Sequence, residues 1–435
     1  MAKKAMAKTV PPSRWSGEVR SELVVSPATR RRFVAPSWRL LLLTAGPGLV
    51  AMLADTDAGS VVTAAQSGAQ WGYRLLALQF ILIPFMFLAQ ELALRLGLLT
   101  GRGATELVAE HFGRAASLVL AGAIIISCIG ALVTELSGLA GAAGVYGVPV
   151  PATVAVAVIG LIVMVITGSY RSVERVALFF GLFELGFVVV AWRSHPNPQQ
   201  MLAHFSAVPL RNHEFLYLIA ANLGTSLMPW TLAYQQSACV DKGLGHKHLL
   251  AARVETAVGV MVCQIITAAI LIAAAAKLGG RPLVDIGDIA SAFTQTLGVG
   301  LGRLIFVAAL SGSALVAAIV LSLATAWTIG EALGLHHSLE HSLGQAPWFY
   351  GGFSVLLIAG GVLVASGIDL VRLSIAAGVV NALLLPIMLF FLYRLARLIL
   401  PAAVRLRGWA AVATAVAFIF ISALGLVTGL SGIAS

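Results

Sequence analysis

Charge is what this sequence has least of. Asp, Glu, Lys and Arg make up 11% of its 435 residues, against 59% hydrophobic residues and a mean hydropathy of +0.95. A soluble domain carries about 25% charged residues, so an ordinary soluble protein is excluded and an integral membrane protein fits. Cysteine is nearly absent too. Cys128, Cys239 and Cys263 stand far apart in apolar segments, which excludes a disulfide framework or a thiolate zinc site and leaves them as small packing residues. Short alternating strands are missing, which excludes a β-barrel. No paired acids, Cys/His set or nucleophile motif gathers near one membrane face, so no enzyme is expected.

What is present is long apolar sequence. Runs of about 20 apolar residues, enough to span a bilayer, recur eleven times. They lie near 40–70, 74–98, 116–145, 150–168, 176–193, 214–241, 254–277, 302–333, 347–366, 368–393 and 409–429. The 44 glycines, spread among alanines and serines, suit helices that pack closely in lipid. The expected fold class is therefore an all-α, multi-pass membrane protein of 11 transmembrane helices.

The net charge of +10 does not point to nucleic acid, because residues 1–39 alone hold nine Lys/Arg. That tail is polar, proline-containing and too long for a cleaved signal peptide. It reads as a disordered cytoplasmic anchor beside anionic lipid. With the tail inside, inner segments hold 21 of the 28 Lys/Arg and outer segments seven. Positive residues favour the cytoplasmic side, so the N-terminus is expected inside the cell membrane and, after eleven crossings, the C-terminus outside.

Two spans are interrupted. Span 1 breaks at Asp55–Ser60, within "MLADTDAGS", and span 6 at Met228-Pro229, within "LGTSLMPWTLAYQQSACVDK". Proline removes a backbone donor and clashes with the preceding turn. Broken helices five apart are the sequence pointer to inverted repeats with a binding site at the membrane midplane. Asp57 has no nearby Lys or Arg in sequence, and a carboxylate at membrane depth needs a partner. A bound cation is the natural one. Carbonyls freed around Asp55–Thr56 and Thr225 would add the oxygen ligands that hard divalent ions take, and Met228 would add a soft thioether. The plainer alternatives are a helix N-cap for Asp57 and ordinary packing for Met228.

"GPGLVAMLADTDAGSVVTAAQSGAQWGY" resembles the first helix of the Nramp divalent-metal transporters, "RLGLLTG" (Arg95–Gly101) their segment after the second helix, and "SLMPWTLAYQQSA" their sixth. The resemblance implies the leucine-transporter-type fold, with residues 40–193 (helices 1–5) and 214–393 (helices 6–10) as inverted repeats and 409–429 as an extra helix 11. It also implies a site in which Asp57 and Met228 bind the metal, Ser60 replaces a metal-binding asparagine, and Thr225 offers its carbonyl.

The departures from the family pattern set the expected substrate. Ser60 is shorter than asparagine and would reach an ion only through water. Asp55 is an added acid, and Trp230 stands where the family has a histidine linked to proton movement. Glu135 in span 3 matches a family aspartate, whereas Gly138 occupies the place of a glutamate. No histidine lies within a span, although proton relays are usually chains of Asp, Glu and His. These features resemble the Nramp-related magnesium branch, with proton coupling weak or absent; the retained Met228 keeps manganese open. No cofactor is implied. An ordinary proton-coupled Mn/Fe importer and, more remotely, an amino-acid transporter are the alternatives.

Glu135 and Glu184 are intramembrane acids read as helix–helix hydrogen-bonding groups, or as a proton path or vestibule. Gln235, Gln236 and Asn381 are expected to bond between helices rather than to the ion. Glu91 and Arg95, four apart, and Arg171 with Glu174 read as cytoplasmic ion pairs. The loop "HHSLEH" (His336–His341) has two imidazoles at helical spacing but no third ligand, and reads as solvated.

Overall fold

The computed structural model describes residues 46–167, 179, 181–334, 347–367 and 369–433. Every regular element among them is helical. The first part runs α1 (Pro47–Asp55), α2 (Ala58–Trp71), a 3-10 turn (Gly72–Leu75), α3 (Leu76–Thr100), α4 (Ala104–Phe112), α5 (Arg114–Gly144) and α6 (Val150–Thr167). A second 3-10 turn (Leu182–Glu184) leads into α7 (Leu185–Arg193) and α8 (Pro198–Ser206). The rest comprises α9 (His213–Ser226), α10 (Pro229–Asp241), a third 3-10 turn (His246–His248), α11 (Leu249–Leu278), α12 (Ile286–Leu297), α13 (Val299–Leu333), α14 (Pro347–Ala365), α15 (Leu370–Leu398) and α16 (Gly408–Ile433).

Both expected interruptions are there. Span 1 divides into α1 and α2 around Thr56 and Asp57, and span 6 into α9 and α10 around Leu227 and Met228. Asp57 and Met228 are extended N-cap residues, and Pro229 opens α10, where its missing N–H costs nothing.

Seven stretches among the described residues are long and apolar enough to cross a membrane; Val150–Val163 and Tyr350–Ala365 are shorter apolar helices. The expected eleven spans differ from this count partly because Ala58–Thr100 is one stretch of 43 residues. That is about 65 Å of helix, twice the hydrocarbon core. Gly72, with φ +62°, turns the chain inside it, so the stretch holds the end of span 1 and all of span 2. The tail 1–39, the pair Arg171 and Glu174, and the loop His336–His341 lie outside the described residues.

The broken helix His213–Asp241 is the most enclosed, with 89% of its most apolar window buried, against 28% for α16. α2 packs on α11, α5 on α13, and α9 on α15 and α16. Missing side chains permit two of these contacts. A Cβ on Gly68 would meet the Leu271 carbonyl at 2.2 Å, and one on Gly224 the Gly378 carbonyl at 1.8 Å. Small residues let backbones approach where no water is available to drive association. The three cysteines are buried free thiols, as the sequence implied.

Candidate metal centre

The two interruptions meet. The Ser60 hydroxyl, on the first turn of α2, is 2.8 Å from the Asp55 carbonyl oxygen and 3.1 Å from that of Thr225. One hydroxyl proton is thus shared between the carbonyl that ends α1 and a carbonyl near the end of α9. These oxygens have lost their helical donors because the chain stops being helical just beyond them. Asp57, 2% exposed, accepts the Ser60 N–H at 2.6 Å, so it is an N-cap, as the plainer reading held. That bond uses Oδ1 and leaves acceptor capacity on Oδ2.

Glu135 of α5 approaches the same helix start. Its Oε2 accepts the Ala58 N–H at 2.9 Å, and its Oε1 accepts from Thr134 at 3.2 Å. Two carboxyl groups therefore sit on the N-terminus of α2, where the helix dipole favours negative charge. Glu184, fully buried beside Thr56, makes no hydrogen bond of ordinary geometry to any described residue. The Asp55 side chain lies by Thr231 of α10 and Cys263 of α11, with Cys263 Sγ 3.8 Å from its Oδ2 and, among the described residues, no hydrogen bond of ordinary geometry on Oδ1. It is thus the Asp55 carbonyl, not its carboxylate, that faces Ser60.

Met228 is fully buried on the opposite break, and its Sδ accepts from the Trp230 indole N–H at 3.1 Å. Trp230, which stands where the resemblance implies a histidine, therefore donates to the thioether. Among the described residues no cluster of three or more His, Cys, Asp or Glu side chains is gathered to hold a metal. A cation here would draw on a mixed set: one carboxylate, backbone carbonyls and a sulfur.

Gln235 donates to Thr256, Gln236 to the Arg102 carbonyl, and Asn381 accepts from Ser127 at 2.6 Å. All three bond between elements, as expected. Glu91 pairs with Arg95 as its spacing implied, and also with Arg253 at 2.5 Å.

Three polar residues escaped the sequence reading. Asn222 of α9 donates to Ser67 of α2 at 2.8 Å and accepts from Gln79 of α3 at 2.8 Å, tying both broken helices to their neighbour. Glu255 of α11 accepts the N–H groups of Gly46 (2.7 Å) and Leu49 (2.8 Å), and so caps α1 from another helix. Glu331 accepts from Thr105 at 2.8 Å and from Ser237 of α10 at 2.5 Å. An acid close to a helix end looks like a solvated end group in sequence; the partners are 94 to 226 residues away.

Removing the Glu255 acceptor takes the partner from the N–H groups of Gly46, the N-cap of α1, and of Leu49 in its first turn. Glu255→Ala should speed amide exchange in α1 by about 5- to 30-fold, the equivalent of about 1–2 kcal/mol of lost capping. Glu255→Gln, which keeps an acceptor oxygen, should stay near the parent rate in the same hydrogen-exchange measurement.

The architecture is that of all-helical membrane transporters. A mutant of the Eremococcus coleocola manganese transporter superposes with a TM-score of 0.72 at 16% identity, covering 93% of this chain and 88% of that one. MhsT in complex with L-phenylalanine gives 0.59 at 15% identity, over 89% and 98%. The family model described as Nramp, natural resistance-associated macrophage protein-like, matches residues 48–431. The chain belongs to the Nramp family. A divalent metal cation transporter, MntH, of Acidiphilium cryptum is 27% identical over 401 residues, 86% of this chain and 87% of the relative.

Proposed function

We propose that this chain is a secondary transporter moving a divalent cation, magnesium or manganese, through the cell membrane by alternating access, with weak or absent proton coupling. Family membership and relatives named as divalent metal cation transporters support the substrate class. The observation that carries the reading is the meeting of two interrupted helices at Ser60, with Asp57 on one break and Met228 on the other.

The ion takes Asp57, the carbonyls of Asp55 and Thr225, and Met228; Ser60 acts through its hydroxyl or a water. Asp55 adds negative charge near the ion. Magnesium gives up its waters reluctantly, and a short serine leaves room for one. The helices form two inverted five-helix repeats, 40–193 and 214–393, followed by helix 11, with the N-terminus inside and the C-terminus outside. Binding to α1 and α10 from one side, and α2 and α9 from the other, allows the halves to rock about the ion.

Weak coupling rests on side chains already engaged. Trp230 replaces the family histidine and binds a sulfur. Glu135 caps Ala58. A proton-coupled manganese importer is the second reading, favoured by the retained Met228. An amino-acid substrate fits less well, because Asp57 would repel its carboxylate.

The test is uptake into vesicles that enclose a pH dye, with magnesium and manganese compared. Saturable metal flux without matching acidification is the expected result. Acidification that tracks metal uptake would replace this reading by the proton-coupled one.

A further inference from the structure

From Leu370 to Ser435 the sequence holds five arginines and no lysine, aspartate or glutamate. Four of the five, Arg394, Arg397, Arg405 and Arg407, fall within the end of α15, the link that follows it and the residue before α16. The Tyr393 hydroxyl donates to the Ala411 carbonyl at 3.3 Å, which sets the end of α15 beside the start of α16. Arg397 lies over the Tyr393 ring and Arg405 donates to the Leu400 carbonyl at 2.7 Å. The side chains of Arg394 and Arg407 have no hydrogen bond or ion pair to any described residue. Trp409, 81% exposed, stands at the same end, as aromatic residues do at the level of lipid headgroups.

An apolar groove starts from this end. It has a volume of about 480 Å³ between α15 and α16, runs from Tyr393 and Arg394 to Pro386 and Leu426, and includes Phe418 and Ser422. Residues 386–394 and 415–426 span about 12–16 Å of helix. That is the depth of one leaflet, half of a hydrocarbon core about 30 Å thick. Arg394 lines the groove itself, so an apolar trough ends on an unpaired cation.

We propose that this groove binds one anionic phospholipid, an acyl chain lying between α15 and α16 and the phosphate on Arg394, with Arg397, Arg405 and Arg407 at the same headgroup level. A second copy of the chain is a poorer occupant. A two-fold contact would set this four-arginine patch against itself, because such an interface pairs the same surface of both subunits. The site lies apart from the two helix breaks, so it stands or falls independently of the transport reading. In the topology proposed above it faces the cytoplasmic leaflet.

The test is native mass spectrometry of the full-length protein in detergent, with phosphatidylglycerol and phosphatidylcholine of identical chains competing at equal concentration. Phosphatidylglycerol should be retained at least about fivefold over phosphatidylcholine, the preference one surface arginine confers. Arg394→Gln should lower that preference about fivefold and leave phosphatidylcholine retention unchanged. Ala423→Phe, which fills the groove, should reduce retention of both lipids. Equal retention by the parent protein overturns the proposal without recourse to any variant. So does an unchanged preference in Arg394→Gln, or unchanged retention in Ala423→Phe.

Discussion

Asp57→Asn should abolish metal uptake while leaving the protein folded. Asparagine caps helices as well as aspartate does, so its side-chain oxygen can still accept the Ser60 N–H that Asp57 now accepts at 2.6 Å. What the substitution removes is the charge. Breaking a buried charge pair costs about 3–5 kcal/mol, so affinity for magnesium and manganese should fall by two to four decades. Asp57→Ala should lose both properties: the ion, and about 1 kcal/mol of capping. The pair of variants separates the two roles. Liposome uptake and thermal unfolding on the same preparations read them out. Full uptake in Asp57→Asn would leave Asp57 as a cap alone, and the proposed cation site would have no anionic ligand.

The helix breaks were legible because they need local chemistry. Pro229 cannot continue a helix whose N–H it lacks, and Asp57 followed by Ala-Gly-Ser is a helix start. α1 accordingly ends at Asp55 and α10 begins at Pro229. The pairing of Glu91 with Arg95 was legible for the same reason, being one helical turn apart. The partners of the buried acids were not legible. Glu135 reads in sequence as an acid on an apolar helix, yet it caps Ala58, 77 residues earlier. Glu255, which nothing in the sequence singles out, holds the start of α1 across 209 residues. The placement of the Ser60 hydroxyl between two carbonyls was not legible either, because only the tertiary fold brings those carbonyls together. Hydropathy marks which residues are in the membrane, and it is blind to which helix each polar group faces.

The indole of Trp230 should decide which metal Met228 prefers. Its N–H points at Sδ from 3.1 Å, and a thioether sulfur is only a weak acceptor. Sulfur is the one soft donor proposed for the site, and soft donors favour manganese over magnesium. A donor hydrogen on that sulfur withdraws electron density and occupies one of its lone pairs. In the proposed site this would shift the preference towards a hard cation. Trp230→Phe keeps an aromatic side chain and removes the N–H. Releasing a hydrogen bond of about 0.5–1.5 kcal/mol should raise manganese affinity about 2- to 10-fold, with magnesium affinity unchanged. The double variant Met228→Leu/Trp230→Phe should cancel the gain, because the indole acts only through the sulfur. Competition between the two ions in liposome uptake measures the ratio directly. Parallel changes for both metals, or a gain that survives the loss of Met228, would mean that Trp230 acts by packing and that the sulfur takes no part in selecting the ion.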